Sequence, residues 1–387
     1  MTDQRPSDQP TSQASADAGI TISQQSFITL LQHMLNVPGK PSDLFFSPGK
    51  PPQVETVGKL SPILIKGLEK LTPAHTSAIA KLILQGKSQA AELLDKNGAT
   101  DIAYSAYGLA RFRVNIFKQR GTLAIVMRII PIGVPRFDEL GIPNELKSIV
   151  DIKNGIVLVT GPTGSGKSTT LAAVIDLINE KHSYHIITIE DPLEFIHGHK
   201  NSTIHQRELF SDTPTFAIAL RAALRQAPKV ILVGEMRDRE TAEVAMEAAE
   251  TGHLVLSTLH TIDSAKTVER IIGIFPKSEE HIVRLRLSQS FKYIISQRLL
   301  PRADKNGRVA AIEILKSTSR TREYIEKGEA EGKTLLDAIE QGDQEGMQSF
   351  DGVIEKMIRQ GVVNKDEALP YASNLTNMLL RIADLDR

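Results

Sequence analysis

The chain contains no cysteine, which removes disulfide staples, thiolate zinc sites and thiol nucleophiles together. Tryptophan is also missing and aromatic residues make up only 5% of the chain, which leaves little material for an aromatic, basic groove of the kind that grips single-stranded nucleic acid. Lys and Arg number 46 and so do Asp and Glu, so no excess charge draws the protein to nucleic acid or to an anionic membrane. No apolar run reaches the ~18 to 20 residues needed to span a bilayer, and the N-terminus lacks a basic segment followed by an apolar one. The expectation is a cytoplasmic protein with no transmembrane segment and no nucleic-acid partner.

What is present suffices for two cores: 387 residues, 41% hydrophobic and 24% charged. Residues 1–26 are rich in Gln, Ser, Thr, Asp and Pro and poor in large apolar side chains, so they read as a disordered leader. Apolar positions at helical spacing begin at Phe27. Through residue 131, short runs such as Leu44-Phe-Phe and Leu123-Ala-Ile-Val alternate with Pro and Gly turns and with a helical stretch from Ser77, the pattern of a small α+β domain. Pro131 and Pro135 bracket a linker. Residues 132–274 hold apolar runs separated by helical patterns, which fits an α/β core with a parallel sheet covered on both faces. Residues 275–387 are expected to be a helical subdomain, Phe291-Lys-Tyr-Ile-Ile included.

The chemistry centres on Gly161, Pro162, Thr163, Gly164, Ser165, Gly166, Lys167 and Ser168, a full match to G-x-x-x-x-G-K-[ST] between an apolar strand and a credible helix that continues through Thr169. Such a loop turns backbone N–H groups toward phosphates at a helix N-terminus. Lys167 is expected to reach the β and γ phosphates and Ser168 to ligate Mg²⁺. No Asn-Lys-x-Asp guanine signature occurs, so ATP is preferred over GTP.

Carboxylates follow at the ends of later runs. Glu190, Asp191 and Glu194 lie where a doubly wound sheet presents its crevice, and a carboxylate there can deprotonate an attacking water, although a solvated strand exit has the same composition. In Val230-Ile-Leu-Val-Gly-Glu235 an apolar strand leads to an acid suited to holding Mg²⁺ through its waters. His253 and His260 bracket the next run, and spacing alone leaves both phosphate sensing and a structural role open. Arg113 and Arg128, near the end of the first domain, suit phosphate neutralisation or a basic solvated face.

Together with Arg111-Phe-Arg-Val-Asn, Glu190-Asp-Pro-Leu-Glu-Phe-Ile-His197, Gly234-Glu-Met-Arg-Asp238, Thr251-Gly-His-Leu-Val-Leu-Ser-Thr-Leu-His260 and Gly346-Met-Gln-Ser-Phe350, the phosphate loop resembles the retraction ATPases of type IV pili, the PilT/PilU branch of the secretion ATPase superfamily. The resemblance runs from about Phe27 to the C-terminus. It implies a PAS-like N-terminal domain joined to a RecA-like ATPase domain, assembled as a homohexamer that hydrolyses ATP with Mg²⁺. It also implies a pilus inner-membrane platform protein as partner, with a paralogous retraction ATPase as a possible second. By the same resemblance Glu194 is the general base, Glu235 the Walker B acid, His253 and His260 the histidine box, and Arg113 and Arg128 the fingers that reach nucleotide. Pilus assembly and type II secretion ATPases share these motifs but typically carry a cysteine-rich insertion, which this chain lacks. A regulator that binds ATP without turning it over is the remaining alternative, and the intact Glu194 and Glu235 argue against it.

Overall fold

The computed structural model describes residues 22–39, 41–56, 58–130 and 133–386. Most of the expected leader therefore lies outside the described residues, as does the start of the expected linker. The exception is its end. Ile22 is buried and the Ser23 hydroxyl caps helix α1 (Gln24–Leu35), so order begins earlier than Phe27. The cap is a single polar residue, which composition does not separate from a polar tail.

The chain divides into two compact units at Ile130 and Pro131. In the first, α1 is followed by β1 (Asp43–Phe46), β2 (Gln53–Thr56), β3 (Lys59–Pro62), α2 (Pro73–Leu84), α3 (Ser88–Asn97), β4 (Ala99–Ala106), β5 (Ala110–Gln119) and β6 (Thr122–Ile130). The strands form one antiparallel sheet in the order β3-β2-β1-β6-β5-β4, the small α+β architecture anticipated. Alternation sets its two faces. Phe112, Val114 and Ile116 of β5 point into a core with Phe27, Leu31, Phe46 and Ile79, while Arg113 between them is exposed.

The second unit holds β7 (Gly155–Thr160), α4 (Lys167–Lys181), β8 (His185–Glu190), β9 (Thr203–Glu208), α5 (Phe216–Ala223), β10 (Val230–Val233), α6 (Arg239–Glu250), β11 (Leu254–Leu259), α7 (Ser264–Ile272) and α8 (Glu280–Ser290). Then come β12 (Phe291–Pro301), β13 (Arg308–Lys316) and the helices α9 (Ser319–Lys327), α10 (Leu335–Glu340), α11 (Phe350–Arg359), α12 (Lys365–Ala368) and α13 (Leu375–Arg381). Its sheet runs β13-β12-β7-β11-β10-β8-β9, parallel throughout except for the antiparallel β12–β13 pair. Ile156 and Leu158 of β7 pack into one hydrophobic layer and Val157 and Val159 into the other, which is why the strand reads as an unbroken apolar run.

The helical reading of residues 275–387 needs correction. Phe291 to Ile295 is strand, and β12 lies directly beside the phosphate-loop strand, with Ile294 opposite Leu158 and Ser296 opposite Thr160. A strand buried on both faces and a buried helix leave similar short apolar runs, and periodicity does not separate them. The parallel sheet of the second unit therefore continues, through the antiparallel β13, to Lys316. Helices dominate only after it, around a smaller core of Leu300, Phe350, Ile354, Met378 and Ile382.

Candidate functional site

Because β7, β11, β10 and β8 are parallel neighbours, the loops leaving their C-terminal ends share one edge of the sheet. Those loops carry the phosphate loop, His260, Glu235 and Glu194 in turn. Backbone and side-chain bonds tie the edge together: Gly234 N–H donates to Ile189 O at 2.8 Å, and Thr258 Oγ1 donates to Gly234 O at 2.6 Å.

The loop from Gly161 to Gly166 is shaped by close backbone approach. Gly161 has φ +143°, and a Cβ there would stand 2.4 Å from Gln297 O of β12. Gly166 has φ +89°, and its Cβ would meet Gln297 Nε2 at 2.8 Å. A Cβ on Gly164, in contrast, would meet nothing within 4 Å, so the mouth of the loop is open. The Ser165 hydroxyl is buried with no hydrogen-bond partner among the described residues. An open mouth at the N-terminus of α4 is what a phosphate group would complete.

Lys167, the first residue of α4, is buried, and its Nζ donates to Gly161 O at 2.9 Å and Pro162 O at 3.1 Å. Burial pushes its ammonium below the usual lysine range, while the charges of Glu194 and Glu235 pull it back up. His260 Nδ1 lies 3.5 Å from Lys167 Nζ, and His260 Nε2 lies 3.7 Å from Glu235 Oε2. Burial, then the neighbouring Lys167 and Arg237, hold the imidazole below its ordinary pKa against the opposing pull of Glu235, so it is neutral at pH 7. Glu235 also pairs with Arg237, Nε to Oε2 at 2.5 Å. Ser168 and Thr169 follow Lys167 in the first turn of α4, half-buried. Ser168 and Glu235 supply the hydroxyl and carboxylate oxygens that a hard divalent cation takes.

His253 is not part of this edge. It immediately precedes β11, whose Leu254 pairs with Gly155, whereas Leu259 pairs with Thr160 at the phosphate loop. Seven residues of extended chain put His253 about 23 Å upstream of His260. Its Nδ1 lies 3.0 Å from Ala248 O and caps the turn after α6. Within one chain, therefore, His253 does not line the phosphate loop; a motif names both histidines, but a strand carries its two ends to opposite edges of the sheet.

Arg113 and Arg128 belong to the first unit, where β5 and β6 place them directly opposite each other. Arg128 Nε donates to Asp43 Oδ1 at 2.8 Å, while Arg113 is exposed.

Two contributions went unread in the sequence. Gln297 of β12 accepts from Thr170 Oγ1 at 2.9 Å as well as bracing Gly161 and Gly166, yet a neutral side chain in an apolar run carries no motif. Beside the loop lies a cavity of about 460 Å³ that Thr163, Gly164, Asp263, Arg298, Arg308 and Tyr371 help to line. Arg298 donates to Tyr371 O and stacks its guanidinium 3.7 Å from the centre of the Phe350 ring, fixing the C-terminal segment as one wall. These residues come together only through the fold.

Comparison with known proteins gives consistent answers. Residues 98–348 match the family described as type II/IV secretion system protein. The chain is 42% identical over 329 residues to the type IV pilus retraction ATPase PilT of Pseudomonas aeruginosa, spanning 84% of this chain and 93% of that one. It is 38% identical over 356 residues to the type IV pilus ATPase PilU of the same organism, spanning 92% and 91%. A crystal structure of the pilus retraction motor PilT with bound ADP superposes with a TM-score of 0.80 at 40% identity, covering 90% of this chain and 98% of that one.

Proposed function

The chain belongs to the type II/IV secretion system protein family, and on that premise we propose that it is an ATPase that powers type IV pilus retraction and twitching motility. The observation that carries the reading is the gathering of Lys167, His260 and Glu235 on one sheet edge beside an open phosphate loop, in a chain 42% identical over 329 residues to a retraction ATPase.

The division of labour we propose is as follows. Residues Gly161 to Thr169 cradle the phosphates, and Lys167 exchanges its carbonyl partners Gly161 and Pro162 for phosphate oxygens. Ser168 and Glu235 would hold Mg²⁺, which when bound supplies a Lewis acid that neutralises charge on the phosphates. Glu194 takes the proton of the attacking water. His260, neutral and set between Lys167 and Glu235, reads the γ-phosphate end of the site. The cavity bounded by Arg298 and Tyr371 takes the nucleoside.

Arg113 and Arg128 act as fingers supplied by a neighbouring copy, and His253, remote from its own phosphate loop, acts toward an adjacent subunit. Both roles require a ring, and a homohexamer is the assembly proposed. No described helix is long and apolar enough to cross a membrane. The motor works in the cytoplasm, peripheral to the inner membrane at the pilus base, against a platform protein and alongside a paralogous retraction ATPase.

Two measurements test this. The purified chain should release phosphate from ATP in a Mg²⁺-dependent manner. Cells lacking it should keep surface pili that no longer shorten; loss of the pili altogether would point to assembly instead.

A further inference from the structure

We propose that Gln206 of β9, together with Glu190 at the end of β8, is a positioning device that fixes the loop bearing Glu194; this rests on Glu194 being the base. Residues 191–202 connect β8 to β9 outside the regular helices and strands. A carboxylate on such a loop would wander well beyond the half-ångström or so that a general base tolerates, unless something rigid holds it.

The hold comes from the sheet itself. Gln206 is opposite Thr188 in the β8–β9 ladder, and Glu208 is opposite Glu190. Gln206 uses both ends of its amide: Nε2 donates to Phe195 O at 2.9 Å, and Oε1 accepts from His197 N–H at 2.8 Å. The same Nε2 approaches Glu190 Oε1 at 3.4 Å, and Glu190 Oε2 accepts from the backbone N–H of Glu194 at 3.5 Å. Glu208 Oε1 accepts from Leu193 N–H at 3.3 Å. Side chains on the two neighbouring strands thus hold the backbone of residues 193, 194, 195 and 197. The bonds at the Gln206 amide are the short ones, and they flank Glu194 on its C-terminal side.

A staple that served only the fold would change stability and leave the rate per folded molecule alone. A positioning device lowers the rate through Glu194 and leaves nucleotide affinity alone.

The experiment uses the purified full-length chain and reads three quantities: kcat of phosphate release, Kd for a non-hydrolysable ATP analogue, and the thermal unfolding midpoint. Gln206→Leu keeps volume and removes both hydrogen bonds. It should lower kcat about 10- to 100-fold, with the analogue Kd within about twofold of the parent. Combined with Glu194→Gln, it should cost nothing further. Unchanged kcat in Gln206→Leu, or an equal additional loss in the double variant, would overturn the proposal. If Gln206→Leu does not unfold cooperatively, Gln206→Glu carries the same test, because it keeps the acceptor for His197 and removes the donor to Phe195. Undiminished phosphate release by Glu194→Gln alone would overturn the assignment of the base, independently of the staple.

Discussion

Arg113 and Arg128 stand directly opposite each other on adjacent antiparallel strands, and among the described residues only Arg128 meets a carboxylate, the buried Asp43, its partner in the next strand. Like charges facing across a ladder destabilise a sheet, so nothing in the fold of this unit calls for Arg113. Arg113→Ala should therefore leave the unfolding midpoint within about 1 °C of the parent and lower kcat about 100-fold or more, as loss of an arginine finger does. Unaltered ATPase activity with the ring intact would remove Arg113 from the site.

Arg128→Ala should lower kcat as well, since Arg128 is the second proposed finger, and should in addition cost stability. It strands Asp43, which is 5% exposed, beside a sheet that no longer supplies its counter-charge. Because the Arg128 side chain is 69% exposed, solvent screens the pair, and a loss of about 1 kcal/mol is expected rather than the several that a buried pair would cost. Chemical denaturation of the two variants side by side decides whether the difference is there.

Lys167→Ala removes the cation that bridges the Gly161 and Pro162 carbonyls and faces Glu194 and Glu235. Nucleotide binding should fall below detection with a fluorescent ATP analogue, and phosphate release with it. Normal turnover in the purified variant would refute the assignment of the loop.

How much of this was readable without coordinates depends on whether a residue announces itself through local pattern. The phosphate loop, Glu194, Glu235 and His260 each follow an apolar strand, and parallel strands must deliver their C-terminal ends to one edge, so strand order hardly matters to finding them. That His253 stands at the edge away from its own phosphate loop follows from its preceding the apolar run, which the shared motif name does not reflect. The strand from Phe291 was misread because burial on both faces erases the alternation that marks a strand. Gln206, Gln297 and Arg298 were invisible for a different reason. The roles of Gln297 and Arg298 rest on partners far along the chain, Thr170 and Tyr371, that of Gln206 on the path of an irregular loop, and neutral amides have no compositional signature.

The last prediction concerns two titrating groups, Glu190 at the end of β8 and His197 on the loop after it, whose effects on stability run in opposite directions. Burial pushes the His197 imidazole down to about 4 from its ordinary 6.5, so the unfolded chain binds more protons between those values. Its contribution is present above pH 6.5 and is lost as pH falls toward 4, about 3 kcal/mol in all. Glu190 behaves inversely. Burial raises its carboxyl from 4.5 to about 7, so the folded chain binds more protons in that window and stability is lost as pH rises through it. The two slopes largely cancel between pH 4.5 and 6.5, and removing one exposes the other. Glu190→Gln should therefore compare more favourably with the parent at pH 8 than at pH 4.5, with the gap between the two pH values approaching about 3 kcal/mol at most. The variant's own stability should then fall more steeply than the parent's as pH drops from 6.5 to 4.5. Urea denaturation at several pH values across 4.5 to 8 checks it, and a difference between variant and parent that does not change with pH would show that Glu190 is not held protonated by the fold.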